Sequence, residues 1–453
     1  MEPTPYDDAR RDAIAWLMGR VNYERTQPIP YAEQSLKLDR VRELLRRLGD
    51  PQDRLRLVHI AGTKGKGSTA AMIAAACQEA GMATGVYSSP HLERLEERFA
   101  IDGAPCSADE LVALVDAVRP IAEAMDTRDA GPTYFDLTTA MALEHFARRG
   151  VDAAVVEVGL GGRLDSTNAI RPDVAAVTSI SLDHTRQLGA TRAAIAAEKA
   201  GIFKPGVPAV SGVADDEAGA VIRRVAAEVG CPLYERGRDF EIAPAGGAWR
   251  FQSHRLGTID QVRPALPGAA QAANAAVALA VLAVLAQRGW PLPADARRRG
   301  VGRGKLPARM ERFAGEPLVV VDGAHNDASA QALAEVIDQL CGEAPRERRV
   351  LVVAISSDKD SGAILEPLAR RFAQVVCTRF LENPRAAPPE QLAEASRGVA
   401  PGTPVALAAT PEEAYRLACA TAGERGAVVF AGSLLFAAEA RRLVVAERGE
   451  PPA

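Results

Sequence analysis

The sequence predicts an α/β protein in which a central parallel sheet carries a P-loop and a smaller α/β domain follows. Two observations predict this fold class. Apolar, β-branched runs alternate with helical segments along the chain, which is typical of parallel sheets covered on both faces. The first run, at residues 57–60, leads through a glycine- and lysine-rich turn directly into a helix, as phosphate-binding loops do.

Composition limits the class of protein. A chain of 453 residues is too long for one core and predicts two or three domains. The net charge of −4 provides no basic field, so we expect no nucleic-acid partner. The six cysteines are scattered without a Cys-x-x-Cys pair, which indicates buried thiols in a reducing compartment.

Residues 1–11 lack the apolar core of a signal peptide. The alanine-dominated run at residues 272–286 is explained better by a buried helix than by a membrane span. We expect a cytoplasmic protein that binds no membrane.

The predicted elements form two series. Predicted strands of the first series cover residues 57–60, 83–87, 153–158, 174–180 and 207–211, and predicted helices cover residues 36–48, 70–80, 137–148, 192–200 and 271–288. Short alternating runs within residues 238–263 predict antiparallel edge strands. The second series, a Rossmann-like α/β domain, has predicted strands at residues 318–321, 350–354, 374–377 and 427–431 and helices at residues 328–340 and 361–372.

The arginine- and glycine-rich residues 297–305 predict the linker between the two series. A nucleic-acid patch is the alternative interpretation of this arginine run, but no aromatic residues are interleaved with it. We therefore expect an ATP-binding central domain at residues 1–298 and a C-terminal domain at residues 299–453.

The turn at residues 61–69 is the predicted nucleotide triphosphate site. Backbone N–H groups and the positive end of a helix dipole face one point there, Lys66 adds a charge, and Ser68 or Thr69 offers a hydroxyl to a phosphate-bound Mg²⁺. The usual P-loop has Ser or Thr directly after its lysine, whereas Gly67 follows Lys66. A flexible loop with solvated lysines is the alternative. The predicted ATP-binding residues of this turn are Gly62, Thr63, Lys64, Gly65, Lys66, Gly67, Ser68 and Thr69.

Polar side chains lie in or shortly after three other predicted strands. Ser88 follows the strand at residues 83–87, Glu157 lies in the next, and Asp183 and His184 follow the strand at residues 174–180. Ligands bind at the carboxyl ends of open α/β sheets, and Mg²⁺ needs only one or two protein ligands beside phosphate oxygens. Each residue alone is explained better by a turn, a cap or a paired carboxylate, and only their convergence favours a site.

Two further patterns have competing explanations. The glycines at residues 159–162 do not complete a dinucleotide fingerprint, because that pattern needs glycine where Leu164 stands. Lys199 lies in the last turn of a predicted helix, where a cation is favoured for ordinary reasons. A lysine with a lowered pKa, carboxylated to present oxygen ligands, is the alternative. The residues by themselves favour the ordinary explanation.

In order along the chain, these segments resemble the folylpolyglutamate synthase/dihydrofolate synthase family of the Mur ligase superfamily. The most specific strings are Glu-Val-Gly-Leu-Gly-Gly-Arg-Leu-Asp at residues 157–165 and Asp-Gly-Ala-His-Asn at residues 322–326. The other matching segments lie at residues 61–69, 88–92, 97–98, 133–136, 166–168, 181–184, 198–202, 358–360 and 432–434.

The resemblance implies a Mur ligase architecture and an ATP-dependent amide ligase. A substrate carboxylate attacks the γ-phosphate of ATP, and the amine of L-glutamate then displaces phosphate from the acyl phosphate. The acceptor is dihydropteroate or a folate. Mg²⁺ and Lys66 supply the charge stabilisation, and the protein is expected to act as a monomer.

The resemblance also implies residue roles. Ser88, Glu157 and His184 match the Mg²⁺ ligands. Lys199 matches a carboxylated lysine, which reverses the preference stated above. The remaining matches are Asn274, Arg309 and Asp322 for ATP, Thr133 and Asp165 for the pteroate group, and His325 and Ser433 for the incoming glutamate. The catalytic set is Lys66, Lys199, His184 and His325.

Several positions depart from the family pattern. Lys64 stands where Asn is usual, Asp136 where Glu is commoner, Ala308 where Gly precedes Arg309, and Leu435 where Tyr is frequent. No His precedes Gln in residues 268–271. The alternatives are a Mur-type ligase for a different acid and amine, a catalytically silent ATP-binding homologue, and an NAD-dependent dehydrogenase, for which the glycine fingerprint is incomplete.

Overall fold

The computed structural model describes residues 5–23, 38–126, 131–213, 216–304 and 306–450. The chain divides into two compact units. The first unit comprises Met1–Ala265 and Gln271–Gly304, and the second comprises Leu266–Ala270 and Lys305–Ala453. Each unit contains a mainly parallel sheet with its own apolar core.

Seven strands form the main sheet of the first unit: β1 (Leu57–Ala61), β2 (Thr84–Tyr87), β3 (Phe99–Ile101), β4 (Ala153–Glu157), β5 (Val174–Val177), β6 (Ala209–Ser211) and β7 (Leu233–Glu235). Their order is β3-β2-β4-β1-β5-β6-β7, and all neighbours are parallel except β2 and β3. The central strands β1, β4 and β5 are buried at every position, because helices cover both faces of the sheet. The predicted parallel sheet is confirmed, and β3 and β7 were not predicted.

The helices of this unit alternate with its strands: α1 (Pro5–Met18), α2 (Leu38–Arg47), α3 (Lys66–Glu79), α4 (Ala108–Met125), α5 (Tyr134–Arg149), α6 (Thr185–Leu188), α7 (Arg192–Ala200), α8 (Glu217–Val229), α9 (Ala269–Gln287) and α10 (Ala294–Arg303). Short 3₁₀ helices cover Pro51–Arg54, Leu95–Arg98 and Ser166–Ala169. Residues 36 and 37 of the helix predicted at residues 36–48 lie outside the described residues.

Helix α9 is the one helix of the described residues that is long and apolar enough to cross a membrane. Its most apolar stretch is 72% buried, and its side chains belong to an apolar core that also contains residues of α3 and β1. The prediction of a buried core helix is therefore confirmed.

Three antiparallel strands, β8 (Phe240–Ala245), β9 (Ala248–Ser253) and β10 (Gly257–Val262), form a separate sheet. The predicted antiparallel strands are confirmed, but they form a sheet of their own and are not edge strands of the seven-stranded sheet. Phe240, Ile242 and Phe251 are buried in the core that contains α9, so the apolar face of this small sheet packs on a helix and does not extend the large sheet.

The predicted linker is a helix over most of its length. Residues 297–303 form the second half of α10, and Lys305 lies outside the described residues. A Cβ on Gly300 would lie 2.2 Å from the Cα of Ala76, so α10 and α3 approach to backbone contact. The glycines that suggested a flexible segment instead permit close helix packing, and the linker prediction is wrong for residues 297–303.

The sheet of the second unit contains β11 (Glu311–Phe313), β12 (Leu318–Val321), β13 (Arg349–Val353), β14 (Gln374–Cys377), β15 (Val405–Leu407) and β16 (Ala427–Ala431). The strand order is β11-β12-β16-β13-β14-β15, and all neighbours are parallel except β11 and β12. The helices are α11 (Asp327–Cys341), α12 (Ser361–Ala369), α13 (Pro389–Val399), α14 (Pro411–Ala422) and α15 (Leu434–Arg448), with a 3₁₀ helix at Arg346–Arg348. The predicted second α/β series is confirmed. Strands β11 and β15 were not predicted, because three residues are too few to give a recognisable apolar pattern.

The contact between α10 and α3 predicts a stability effect. Gly300→Ala should lower the free energy of unfolding by about 1–3 kcal/mol, because the new methyl group meets the backbone of Ala76. Gly398→Ala in α13 is the matched control, since a Cβ there has no atom within 4 Å. The control should be neutral or stabilising by up to about 1 kcal/mol. Denaturant unfolding measures both, and equal effects of the two variants would contradict the packing argument.

Candidate active site

Four neighbouring strands bring the predicted site residues to one edge of the first sheet. Glu157 ends β4, and its register partner on β1 is Ile60, two residues before the glycine loop. Ser88 directly follows β2, whose last residue pairs with Val156 of β4. Because adjacent strands lie about 4.8 Å apart, the carboxylate, the hydroxyl and the loop share one region. His184 follows β5 on the other side of β1 and is half-exposed.

The glycine loop passes its neighbours at distances that no Cβ would permit. A Cβ on Gly62 would lie 1.9 Å from Oγ1 of Thr178, and one on Gly65 would lie 2.1 Å from Oδ1 of Asn274. Both glycines have positive φ, 155° and 83°. Both positions, 62 and 65, therefore require glycine. Asn274, a predicted ATP-binding residue far along the chain, lies directly against the loop.

The end of β5 holds the loop from the other side. The N–H of Thr63 donates to the carbonyl of Ser179 at 2.8 Å, and the N–H of Lys64 donates to Oγ of Ser179 at 3.0 Å. The hydroxyl of Thr178 donates to the carbonyl of Lys64 at 2.6 Å. Helix α3 begins with Gly65 as N-cap and no side-chain capping bond, so its first N–H groups are available to a ligand.

Two lysines of the loop place positive charges in this region. Nζ of Lys66 donates to the carbonyl of Gly62 at 3.2 Å and lies 3.8 Å from Oε1 of Glu157. Nζ of Lys64 donates to Oδ2 of Asp183 at 2.8 Å. Burial opposes ionisation of Asp183, but the bond and charge of Lys64 outweigh it and lower the pKa of this carboxyl to about 2. Lys64 is thus paired in the protein itself.

Lys199 lies in the last turn of α7 and is only 5% exposed. Burial, reinforced by the positive charge of Lys66, lowers the pKa of Lys199 to about 7. Burial therefore favours the neutral amine of Lys199, which is the form that reacts with electrophiles.

A small pocket connects these groups. The residues that line it are Gly62, Thr63, Lys66, Gly159, Leu160, Gly161, Asp183, His184, Leu188 and Lys199. The pocket brings the phosphate loop, the glycine segment after β4, the Asp-His pair and the buried lysine together. Of the two hydroxyls that follow the loop, Thr69 is fully buried and Ser68 is 9% exposed, which favours Ser68 as the one that reaches a ligand.

The donor set suits a hard cation that takes most of its ligands from a nucleotide. Among the described residues, no group of three or more His, Cys, Asp or Glu side chains is placed to hold a metal ion by itself. Glu157 and Ser88 offer oxygen atoms, and Mg²⁺ commonly uses one or two carboxylates together with phosphate oxygens and water. These residues therefore fit a divalent cation that arrives with ATP.

The side chains of Thr133 and Asp165 make internal bonds. Thr133 caps α5, and its N–H and hydroxyl donate to Oδ2 of Asp136 at 2.9 and 2.7 Å. Oδ2 of Asp165 accepts from the N–H of Leu160 at 2.9 Å, and Oδ1 accepts from the N–H and hydroxyl of Thr167. Burial raises the pKa of Asp165 to about 6 despite these donors. Its carboxylate thus supports the glycine segment that lines the pocket.

His59 continues this network and was not predicted. It is fully buried on β1, and its Nε2 lies 2.9 Å from Oγ1 of Thr167. Because the Thr167 hydroxyl donates to Asp165, Nε2 of His59 must be the donor to Thr167. Burial, with a contribution from Lys204, lowers the pKa of His59 to about 3, so the ring is neutral. A histidine inside an apolar run gives no signal of a partner more than a hundred residues away.

The second unit gathers the remaining predicted residues at the end of β12. Asp322 is buried, and its two oxygens accept from the N–H groups of Met310 at 2.8 Å and Ala324 at 2.7 Å. Burial raises the pKa of this carboxyl. Nδ1 of His325 lies 2.8 Å from the carbonyl of Gly323 and must be the donor, because a carbonyl oxygen only accepts.

Ser433 and Arg309 lie in the same unit. The hydroxyl of Ser433 caps α15 by accepting from the N–H of Leu435 at 3.2 Å, and the residue is 4% exposed. Arg309 is half-buried, and a Cβ on Gly323 would lie 3.7 Å from its Nη1. The Arg309 guanidinium therefore lies beside the backbone that also carries Asp322 and His325.

Two family models match the chain. The Mur ligase middle domain matches residues 60–282, and the Mur ligase glutamate ligase domain matches residues 308–434. A dihydrofolate synthase/folylpolyglutamate synthase of Bacillus subtilis is 34% identical over 97% of this chain and 99% of its own length. The chain belongs to the folylpolyglutamate synthase/dihydrofolate synthase family of Mur ligases. Membership makes it an ATP-dependent ligase with the Mur ligase fold, as the sequence predicted.

Solved structures of this family agree with the fold. A Mycobacterium tuberculosis folylpolyglutamate synthase complexed with ADP has a TM-score of 0.84 and 34% identity, covering 99% of this chain and 100% of that one. Escherichia coli FolC in complex with DHPP and ADP has a TM-score of 0.81 and 32% identity, covering 96% and 98%. A bifunctional family member from Yersinia pestis, complexed with AMPPNP and Mn ion, has a TM-score of 0.79 and 34% identity, covering 98% and 99%.

The network beneath the pocket predicts the effect of a near-isosteric change. Thr167→Val should lower the free energy of unfolding by about 1–3 kcal/mol, because Asp165 loses one of its donors and the buried Nε2–H of His59 loses its acceptor. Thr167→Ser retains the hydroxyl and should cost clearly less. Urea unfolding of both variants measures the difference. Equal losses would show that packing of the methyl group, and not the hydroxyl, matters at this position.

Proposed function

We propose that this chain adds L-glutamate to dihydropteroate, to the γ-carboxyl of a folate, or to both, through an acyl phosphate formed from ATP. The observation that carries the proposal is the pocket in which the phosphate loop, the Asp-His pair and a buried lysine with a lowered pKa meet. An ATP-binding scaffold without catalysis needs the loop, but it has no use for Lys199 and His184 at the same point. Family membership supplies the class of acid and amine.

The protein's own groups suit transfer of a phosphoryl group. The acceptor's carboxylate oxygen attacks the γ-phosphorus, ADP leaves, and the amine nitrogen of glutamate then attacks the acyl carbon and releases phosphate. Each step moves negative charge. Lys66 and the first N–H groups of α3 are placed to stabilise that charge without rearrangement, because the loop is already fixed between Thr178 and Asn274.

A divalent cation, Mg²⁺ in our proposal, would be held by Ser88, Glu157 and His184. When bound, such a cation neutralises phosphate oxygens and polarises the transferring group. The Yersinia pestis relative complexed with AMPPNP and Mn ion supports a divalent cation. Glu157 is 6% exposed and ends a buried strand, so its carboxylate is held in place for this role.

Lys199 is proposed to carry a carboxyl group. Its neutral amine can attack CO₂ at carbon, forming an N–C bond and releasing one proton, and the product presents two oxygen atoms. Burial at 5% exposure and the lowered pKa provide the neutral amine near pH 7. Carboxylation would replace a buried ammonium group, which burial and Lys66 disfavour, by an anion close to Lys66, Lys64 and His184.

The acceptor and glutamate sites are assigned in the two units separately. The E. coli structure with DHPP supports a pterin-type acceptor, with Thr133 and Asp165 shaping its site through the segments that their bonds hold. His325 and Ser433, both near the carboxyl ends of strands in the second unit, are the proposed glutamate contacts. ATP contacts are proposed for Asn274, Arg309 and Asp322. We further propose a monomer, since few large apolar side chains of the described residues are exposed, and a cytoplasmic location, since the six cysteines are free thiols.

The decisive experiment compares acceptors. ADP release with Mg²⁺, ATP and L-glutamate should require dihydropteroate or tetrahydrofolate, and mass spectrometry should show a product heavier by one glutamyl unit. Glu157→Gln should reduce this turnover on the order of a hundredfold or more, because the charge that holds the cation is lost. ADP binding and circular dichroism of that variant provide the folding control. If the protein turned over ATP with neither dihydropteroate nor tetrahydrofolate, we would assign it as a ligase that acts on a different acid.

Carboxylation of Lys199 has a direct spectroscopic test. Carbon-13-labelled bicarbonate should give a carbamate signal in the wild-type protein that Lys199→Ala abolishes. Lys204→Ala is the matched control: burial also lowers the pKa of Lys204, to about 8, but its Nζ is already bonded to the carbonyl of Asn168 at 3.0 Å. A signal that persists in Lys199→Ala, or that disappears in the control, would contradict the assignment.

A further inference from the structure

Arg309 lies in a loop with an uncommon backbone conformation. Its two neighbours, Ala308 and Met310, both have left-handed angles, with φ of 53° and 48°. For residues other than glycine, each such angle costs roughly 1–2 kcal/mol. Ala308 is fully buried and Met310 is 9% exposed. The loop therefore needs contacts from outside itself to keep this shape.

Those contacts come from two carboxylates and a backbone amide. The N–H of Ala308 donates to Oε2 of Glu311 at 2.7 Å, and the N–H of Met310 donates to Oδ2 of Asp322 at 2.8 Å. The N–H of Gly323 donates to the carbonyl of Ala308 at 2.8 Å. The peptide groups on both sides of Arg309 are fixed in this way, and the direction in which its Cα–Cβ bond leaves the backbone is fixed with them.

Glu311 is in turn fixed by Arg441 of α15. Nε of Arg441 lies 3.1 Å from Oε1 and 3.0 Å from Oε2 of Glu311. The two side chains are only 12% and 10% exposed, so water screens the pair little. Arg441 also pairs with Glu450.

The ordinary explanation is that this ion pair attaches α15 to β11. It does not account for the second bond of Glu311, which uses Oε2 to hold the amide of Ala308 in its left-handed conformation. One carboxylate thus joins the helix to the residue next to Arg309. A pair that served only for attachment would have no need of that bond.

We propose that Glu311 and Arg441 are positioning residues that act through Arg309 and set its guanidinium for binding the nucleotide. This inference rests on the proposed ATP-binding role of Arg309. Neither residue stands out in the sequence, because Glu311 and Arg441 are 130 positions apart and each lies among other charged residues.

A double-mutant cycle tests the proposal. Arg441→Met should raise the KM for ATP about tenfold with kcat changed less than about twofold, because the Arg309 side chain loses its fixed direction. In the Arg309→Ala background the same change should alter the KM less than about twofold. Equal effects in the two backgrounds would overturn the proposal, since Arg441 would then act independently of Arg309.

Hydrogen–deuterium exchange gives a readout that does not depend on ATP. Peptides covering residues 306–313 should exchange faster in Arg441→Met, and unchanged exchange would overturn the proposal. Arg442→Met is the matched control, because the neighbouring Arg442 pairs with Glu382 and not with the loop. It should change neither exchange nor KM. Glu311→Gln provides a second variant if Arg441→Met fails to fold.

The same KM measurements distinguish the proposed ATP role of Arg309 from the proposed positioning role of Glu311 and Arg441. A normal KM for ATP in Arg309→Ala would contradict the proposed ATP role of Arg309 and, with it, the purpose assigned to the pair. A raised KM in Arg309→Ala together with a normal KM in Arg441→Met would leave the ATP role intact and overturn only the positioning proposal.

Discussion

The close approach of the glycine loop to Thr178 and Asn274 is the constraint on which the site of the first unit depends. The side chains of Thr178, which directly follows β5, and of Asn274 in α9 occupy the space that a Cβ on Gly62 or Gly65 would need. The loop is therefore fixed on both sides, and the first N–H groups of α3 remain available. A phosphate site built in this way is present before its ligand arrives, which is what electrostatic stabilisation of a developing charge requires.

Charge in this site is concentrated and only partly compensated. Lys64 is paired with Asp183, and Lys66 lies 3.8 Å from the carboxylate of Glu157. Lys199 has little compensation and is buried, so its ammonium form is disfavoured. The site consequently attracts the anionic phosphates of a nucleotide, while the neutral amine of Lys199 remains open to chemistry.

Both units use carboxylates to hold backbone amides near the groups that carry function. Asp165 holds Leu160 of the glycine segment that lines the pocket, and Asp322 and Glu311 hold the residues on either side of Arg309. Asp165 and Asp322 look like ligand contacts in the sequence, because they stand in polar strings after strands. In the folded protein the oxygen atoms of both carboxylates also accept hydrogen bonds from backbone N–H groups, so both residues fix the conformation of the backbone around the site.

The sequence by itself determined the two α/β series, the phosphate loop and the strand-end residues, because apolar periodicity and glycine-rich turns are local properties of the chain. It could not reveal the pairing of His59 with Thr167, the contact of Asn274 with Gly65, or the separate sheet of β8–β10. It also misjudged residues 297–303, because glycine permits close helix packing as readily as flexibility. Such contacts join residues far apart along the chain, and only the tertiary structure decides which of them meet.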